Sequence, residues 1–477
     1  MGGVSGQSPP RPAPPNTDAG SVLSTLNDDG TRRWIKPRLS PGRWWSRRRG
    51  VAWLLIAIFT LIPHLRMNGK PLILLDLATR RFTFFGHTFL PTDTILLALL
   101  LIGVFFTVFL CTALFGRVWC GWACPQTVYL EFIYRPIERL FEGGPGRRHI
   151  AWLHATGLGR VLKLLAYVLV SCFLAHTFLA YFVGTHTLRQ WVLQSPFRHP
   201  GPFLVMAVTT GLMLFDFTYF REQTCIVACP YGRMQSTLLD RRSLIVTYDT
   251  NRGEPRRGAG DIALGQLKQG DCVDCGLCVA TCPTGIDIRN GLQMECVHCT
   301  QCMDACDAVM AKIKKPLGLI RYGSQAELAG EKAGLLRPRT LIYPTLIALI
   351  VTAIVIVIAR QGPASVRVLR GRGPVYTTLP DGTIANPILI KIANRRDAQA
   401  TFTLDAAGAQ VRSDAFPATL KPGEVATLPA TLMARRDDFT QGRLDVRLII
   451  RGENGIAIEE HHRMGGPATH ARQEPKP

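Results

Sequence analysis

The chain has no cysteine before Cys111 and none after Cys306; all 14 fall between those positions, eight of them within residues 272–306. A disulfide framework spreads its cysteines over the domains it staples, so this bunching argues against one and points to metal ligation. Acids are also scarce: 34 Asp and Glu face 55 Lys and Arg, a net charge of +21. None of the acids lies in residues 31–50, TRRWIKPRLSPGRWWSRRRG, which hold eight Arg and Lys. That excess directly precedes an apolar run, which fits the cytoplasmic flank of a membrane span and contact with anionic lipid. We therefore expect the membrane as a partner and no nucleic acid. Charge of either sign is absent from residues 95–115 and 340–359.

Apolar runs lie at roughly 51–65, 94–115, 161–183, 202–220 and 340–359. Most approach or exceed the ~20 residues that cross a ~30 Å hydrocarbon core. The first is the shortest, with Pro63 and His64 near its end, and no cleavable signal peptide is expected ahead of it. Five crossings place the two ends of the chain on opposite sides. Loops 116–160 and 221–339 carry six and sixteen Arg and Lys, against four in 66–92 and two in 184–200. The bias puts the first pair of loops in the cytoplasm.

Residues 365–465 read differently. NPILIKIANR, QATFTLDAAG, VATLPATLMA and RLDVRLIIRG alternate apolar and polar residues, separated by the turn sequences PDGT, KPGE and RGENG. Short alternating strands over about 100 residues predict an immunoglobulin-like β-sandwich. It has no nucleophile or metal constellation, so its expected role is docking or structure.

The fold class expected is thus multi-domain. A disordered tail (1–40) precedes an α-helical membrane domain of four spans (41–240). A ferredoxin-like domain (241–335), a fifth span (336–362), the sandwich (363–467) and a short tail (468–477) follow.

Two runs carry the clearest chemistry. Cys272, Cys275, Cys278 and Cys282 are spaced Cys-x2-Cys-x2-Cys-x3-Cys, and Cys296, Cys299, Cys302 and Cys306 repeat that spacing. This is the pattern of bacterial two-cluster ferredoxins, in which the fourth cysteine of each run ligates the other cluster. The spacing predicts one [4Fe–4S] cluster on Cys272, Cys275, Cys278 and Cys306, and a second on Cys296, Cys299, Cys302 and Cys282. Paired structural zinc sites would leave the third and fourth cysteines of each run surplus. Asp307 stands where the first run has Pro283.

A second doubling lies beside the membrane. CGWACP, with Cys120 and Cys124, and CIVACP, with Cys225 and Cys229, each close a long apolar stretch. On a helix, residues four apart share a face, and the following proline ends or kinks the span. Packing, disulfide exchange and zinc are competing readings, but soft thiolates select Cu(I), and copper gives adjacent iron–sulfur clusters something to reduce.

Taken in order, the paired CxxxCP spans, the double cysteine run, a fifth span and a trailing sandwich resemble the FixG/RdxA/CcoG family over roughly residues 40–465. That resemblance implies an accessory protein for assembly of cbb3-type cytochrome oxidase and a cupric reductase. Copper would be held or received by Cys120, Cys124, Cys225 and Cys229. Expected partners are the oxidase and its copper-delivery or assembly factors, with an electron donor the sequence does not identify. The expected location is the bacterial inner membrane, with the iron–sulfur domain cytoplasmic and the sandwich periplasmic.

Two other readings stay open: a quinol-linked electron carrier, and a non-enzymatic assembly scaffold. Asp216 is a functional candidate through its depth in a span, as a proton relay or as the partner of another span. His176, Met206 and Met213, and the HHRM segment at 461–464, are minor copper candidates.

Overall fold

The computed structural model describes residues 24–467 apart from 28, 30, 68–69, 78–80, 86, 90–93, 144–156, 257–269, 332–336, 361, 372, 397 and 454. Most of the expected N-terminal tail and the whole C-terminal tail lie outside the described residues. The chain divides into two compact units, residues 1–76 with 101–350 and residues 77–100 with 351–477.

Five long helices are α1 (Arg43–Leu61), α2 (Thr94–Phe115), α3 (Gly157–Val183), α4 (Pro200–Phe215) and α5 (Pro338–Ala359). Among the described residues four segments are long and apolar enough to cross a membrane: Ile95–Phe115, Gly157–Val183, Pro200–Phe220 and Pro338–Ala359. The first expected span is not among them, because α1 opens on the arginine cluster and only its second half is apolar. Its path is nonetheless long. Arg48 is buried against the cysteine-rich domain, whereas Phe59 stacks on Tyr181 near the far end of α3 (centroids 5.3 Å) and accepts a hydrogen bond from its hydroxyl.

The start of α1 is held by the cysteine-rich domain itself. The carboxylate of Asp304 accepts the backbone N–H groups of Trp44 (3.1 Å) and Trp45 (2.6 Å), satisfying donors a helix N-terminus leaves free and favoured there by the helix dipole. A Cβ on Gly42 would come within 2.4 Å of Asp304, so this close approach needs glycine.

The described residues of 24–40, expected as tail, are held to the same domain. Ser24 donates to the Thr284 carbonyl (2.8 Å), and the Arg38 N–H donates to the Ala280 carbonyl (2.8 Å). Low hydrophobicity hid this from the sequence, because the segment is held by backbone hydrogen bonds more than by apolar burial.

The cysteine-rich domain pairs strand Ile245–Tyr248 antiparallel with Ile320–Gly323, framing short helix Leu277–Ala280 and helix Gln301–Lys312. Asp307 accepts the Gly318 N–H (2.8 Å), so the residue that replaces proline ties down the return loop.

In the second unit, strands Ala364–Arg370, Ile384–Asn394, Val425–Ala434 and Gln410–Arg412 form one antiparallel sheet, with Thr377–Thr378 joined to its edge. Ala400–Ala407, Ala418–Leu420, Arg443–Gly452 and Ile456–Gly465 form the other. The alternation expected from the sequence is realised: Ile388, Ile390 and Ile392 are buried with Phe402, Leu432, Leu448 and Ile450. HHRM is part of an edge strand, and Met464 is fully buried in the core.

Candidate functional site

The first thiol pair lies beyond α2 rather than on it. Gly116, in the left-handed region (φ 59°), turns the chain out of α2, and Cys120 sits in the short helix Val118–Trp122. Cys124 follows in extended conformation (φ −62°, ψ 126°), and Pro125 opens the next helix, Pro125–Tyr129. The second motif repeats the arrangement: Cys225 lies in a π-helical turn, Thr224–Ala228, Cys229 is extended, and Pro230 opens helix Pro230–Leu238. Each proline forces its cysteine out of helical geometry and then begins a helix where its missing N–H costs nothing. The paired thiols are therefore not neighbours on one helix face, as i, i+4 spacing implied.

The two motifs meet on the cysteine-rich domain. Cys120, Val297 and Cys299 form one buried cluster, with Cys225 and Tyr231 packed against it. A Cβ on Gly121 would lie 2.5 Å from the Val297 carbonyl and 2.8 Å from that of His298, so the backbones here are in direct contact. The Cys120 thiol donates to Gln235 Oε1 (3.0 Å), and Gln235 in turn donates to the Tyr231 hydroxyl (2.9 Å) and to Thr112 (3.1 Å). Burial pushes the thiols of Cys120 and Cys124 up, with Arg117 opposing the shift at Cys120. Cys225 is pushed up to about 12, by burial and then by its neighbours Cys124, Cys120 and Cys229. Without a metal these groups are protonated thiols at neutral pH.

Two arginines fill the junction. Arg48, fully buried, donates from Nε to the Gly121 carbonyl (2.6 Å) and from Nη1 to the Cys299 carbonyl (3.4 Å). The Arg117 backbone N–H donates to His298 Nδ1 (3.1 Å), and its guanidinium reaches the Met294 carbonyl. Burial, with Arg117 nearby, holds His298 well below the usual histidine range, at about 3, so it is neutral and accepts that bond.

Below them lies a buried ionic network. Arg221 grips Glu138 with two bonds (3.0 and 2.9 Å), Arg135 pairs with Glu131 (2.5 Å) and Glu222 (3.7 Å), and Arg32 reaches Glu222 (3.2 Å). Burial would raise the Glu131 carboxyl, but Arg135, Arg48 and Arg139 outweigh it and hold it low. Asp216, read from the sequence as either a proton relay or the partner of another span, accepts from Thr224 and also interacts with Gln126 beside the first motif. None of the paired arginines and glutamates was singled out in the sequence, because charges next to a span read as solvated loop. The signal was their density directly around both cysteine motifs, in YLEFIYRPIER and FREQTC.

The eight cysteines of the double run divide between two cavities. Cys282, Cys296, Cys299 and Cys302 line one, with Thr284 and Ile286. Cys272, Cys275, Cys278 and Cys306 line the other, with Tyr248 and Arg289; Cys278 also borders the first. Among the described residues no three His, Cys, Asp or Glu side chains converge on a single ion position. A structural zinc would need four ligands gathered at ~2.0–2.3 Å from one point, whereas thiolates around a cubane each bind a separate iron and so ring a cavity. The donor sets fit [4Fe–4S] clusters. The same geometry means that Cys120, Cys124, Cys225 and Cys229 do not form a ready-made three- or four-sulfur copper site.

Comparison with known proteins agrees with these features. Residues 220–325 match a family described as a 4Fe-4S dicluster domain, and residues 97–144 match a 4Fe-4S binding domain. Residues 354–467 match the Ig-like fold at the C-terminus of FixG. Protein RdxB of Cereibacter sphaeroides is 35% identical over 424 residues, covering 84% of this chain and 87% of that protein. RdxA of the same organism is 33% identical over 390 residues (78% and 81%), and the nitrogen fixation protein FixG of Rhizobium meliloti is 31% identical over 421 (79% and 80%). Fold and site thus define a membrane-associated iron–sulfur electron-transfer protein. The chain belongs to the FixG/RdxA family.

Proposed function

We propose that this chain is a cupric reductase serving assembly of the copper centre of a cbb3-type oxidase. Cys120, Cys124, Cys225 and Cys229 receive copper as substrate at the junction with the iron–sulfur domain. Cys272, Cys275, Cys278 and Cys306 hold one [4Fe–4S] cluster, and Cys282, Cys296, Cys299 and Cys302 hold the other. When bound, these clusters supply single electrons, the number that separates Cu(II) from Cu(I). Exposed Cys275 marks the edge where an external one-electron donor approaches. Buried Cys120, packed with Cys299, marks the exit. The observation that carries the reading is this contact between a motif thiol and a proposed cluster ligand. Cys120, Cys124 and Cys229 all neighbour Cys225 but no three converge on one ion position, so substrate copper draws the sulfurs together as it binds. The location proposed is the bacterial inner membrane, with the iron–sulfur domain in the cytoplasm and the sandwich in the periplasm.

The test is reoxidation of the reduced clusters by Cu(II), followed by visible absorbance and EPR. Replacement of Cys120 and Cys225 by serine is expected to slow it strongly without loss of cluster signal. Unchanged kinetics would remove the thiols from the reaction.

A second reading is favoured by one observation. The family match over 97–144 is described as 4Fe-4S binding, and it contains Cys120 and Cys124. The four thiols would then ligate a third cluster. Iron analysis separates the two readings, as two clusters' worth of iron per chain or three, with the excess lost in the serine variants.

A further inference from the structure

A cavity lies at the other end of the helix pair that leads to the thiols. It is lined by His176 and Leu179 of α3, by Trp191 and His199 on the connection to α4, and by Phe203 and Met206 of α4. Sequence spacing suggested His176 and Met206 separately, but it gave no reason to join them to His199. The antiparallel packing of α3 on α4 does so.

Both imidazoles are prepared in the manner of metal ligands. His176 Nδ1 donates to the Cys172 carbonyl (2.8 Å), which leaves Nε2 as a bare lone pair. His199 Nε2 donates to Gln194 Oε1 (2.9 Å), which leaves Nδ1 bare, and its ring is held by stacking on Trp191 (centroids 5.3 Å, 28°). A ring nitrogen fixed by a carbonyl acceptor sets the tautomer and orientation of a ligating histidine. The Met206 thioether adds a soft donor, with the Thr210 hydroxyl 3.6 Å from its sulfur. Two imidazoles and a thioether, with no carboxylate lining the cavity, disfavour hard cations and suit a soft or borderline metal.

We propose that this cavity is a second copper site, formed by His176, His199 and Met206. The stretch from Met206 to Phe220, about 21 Å at 1.5 Å per residue, separates it from the segment that carries the Cys225 motif. It therefore opens toward the membrane face opposite the iron–sulfur domain. The assignment of copper rather than another borderline metal rests on the reductase reading; the presence of a metal site does not.

The experiment is titration of the full-length protein in lipid nanodiscs with Cu(II), read by EPR for nitrogen coupling, and with Cu(I) in competition with a chromogenic chelator. Wild type is expected to show one nitrogen-coupled copper that survives replacement of Cys120, Cys124, Cys225 and Cys229 by serine. His176→Gln and His199→Gln, with the iron–sulfur absorbance as the check on folding, should each weaken it by about tenfold or more. Met206→Leu should weaken Cu(I) more than Cu(II). Absence of nitrogen-coupled copper in wild type, or its persistence in both histidine variants, overturns the proposal. Zinc bound in preference to copper overturns the copper assignment. Failure of the reductase reading shows instead as clusters that Cu(II) does not reoxidise, a separate signal.

Discussion

Single residues at the junction set how the motif thiols and the cysteine-rich domain fit together. Arg48 is fully buried, and its positive charge, opposed by that of Glu131, acts on Cys299. Replacing it with glutamine should lower the reduction potential of one cluster and leave the other in place. The scale is about 60 mV for each 1.4 kcal/mol of lost stabilisation of the reduced form, by EPR-monitored redox titration. Equal shifts in both clusters, or none, would show that the charge does not act on that site. Gly121→Ala tests the contact itself. The added methyl meets two carbonyls under 3 Å away, and overpacking of this kind costs about 1–3 kcal/mol. We expect a lower unfolding midpoint and lower cluster occupancy on purification. The cysteines of this site were legible in the sequence because their spacing alone carries the chemistry. Arg48, Gly121 and Gln235 were not, since each meets the site through a partner at least 73 residues away.

Among elements, α1 and the ionic network hold the junction at the membrane end. Asp304 belongs to the iron–sulfur domain yet caps a helix that begins 261 residues earlier (304 less 43). Asp304→Ala should cost about 0.5–2 kcal/mol and loosen α1, seen as protease cleavage near residues 38–45 that wild type resists. Glu138→Gln breaks a buried bidentate pair and leaves Arg221 only its longer contact with Glu222 (3.6 Å), a change worth up to about 3–5 kcal/mol. Thermal unfolding in detergent measures it, and the double variant Glu138→Met with Arg221→Leu should recover part of the loss. The doubled Cys-x-x-Ala-Cys-Pro motif shows how far local reading reaches. Proline's effect on the preceding residue was predictable, and each second cysteine is indeed extended. That Cys120 would sit on a separate short helix depended on Gly116, whose left-handed turn packs against Leu244 and His298 from distant parts of the chain.

At the scale of the whole molecule, the sandwich has its own core, drawn entirely from residues 364–464. Residues 363–467 expressed alone should therefore fold, giving a single cooperative transition by circular dichroism. A non-cooperative melt would show that the rest of the chain is needed. The membrane-spanning, cysteine-rich and sandwich regions were each legible because hydropathy, ligand spacing and strand alternation are periodic signals. The segment 24–40 was not, because its ordering comes from acceptors on a domain about 240 residues away.

The sequence by itself determined which atoms can do chemistry: twelve thiols in two doubled patterns, apolar runs long enough for a bilayer, and a sandwich without reactive groups. Those are properties of composition and interval, and they survive any arrangement of the rest. Only the tertiary structure decided that Cys120 packs on Cys299, that His199 shares a cavity with His176 and Met206, and that buried arginines fill the junction. Such contacts depend on how antiparallel helices pair and which backbones come close enough to exclude a side chain. No local interval encodes that.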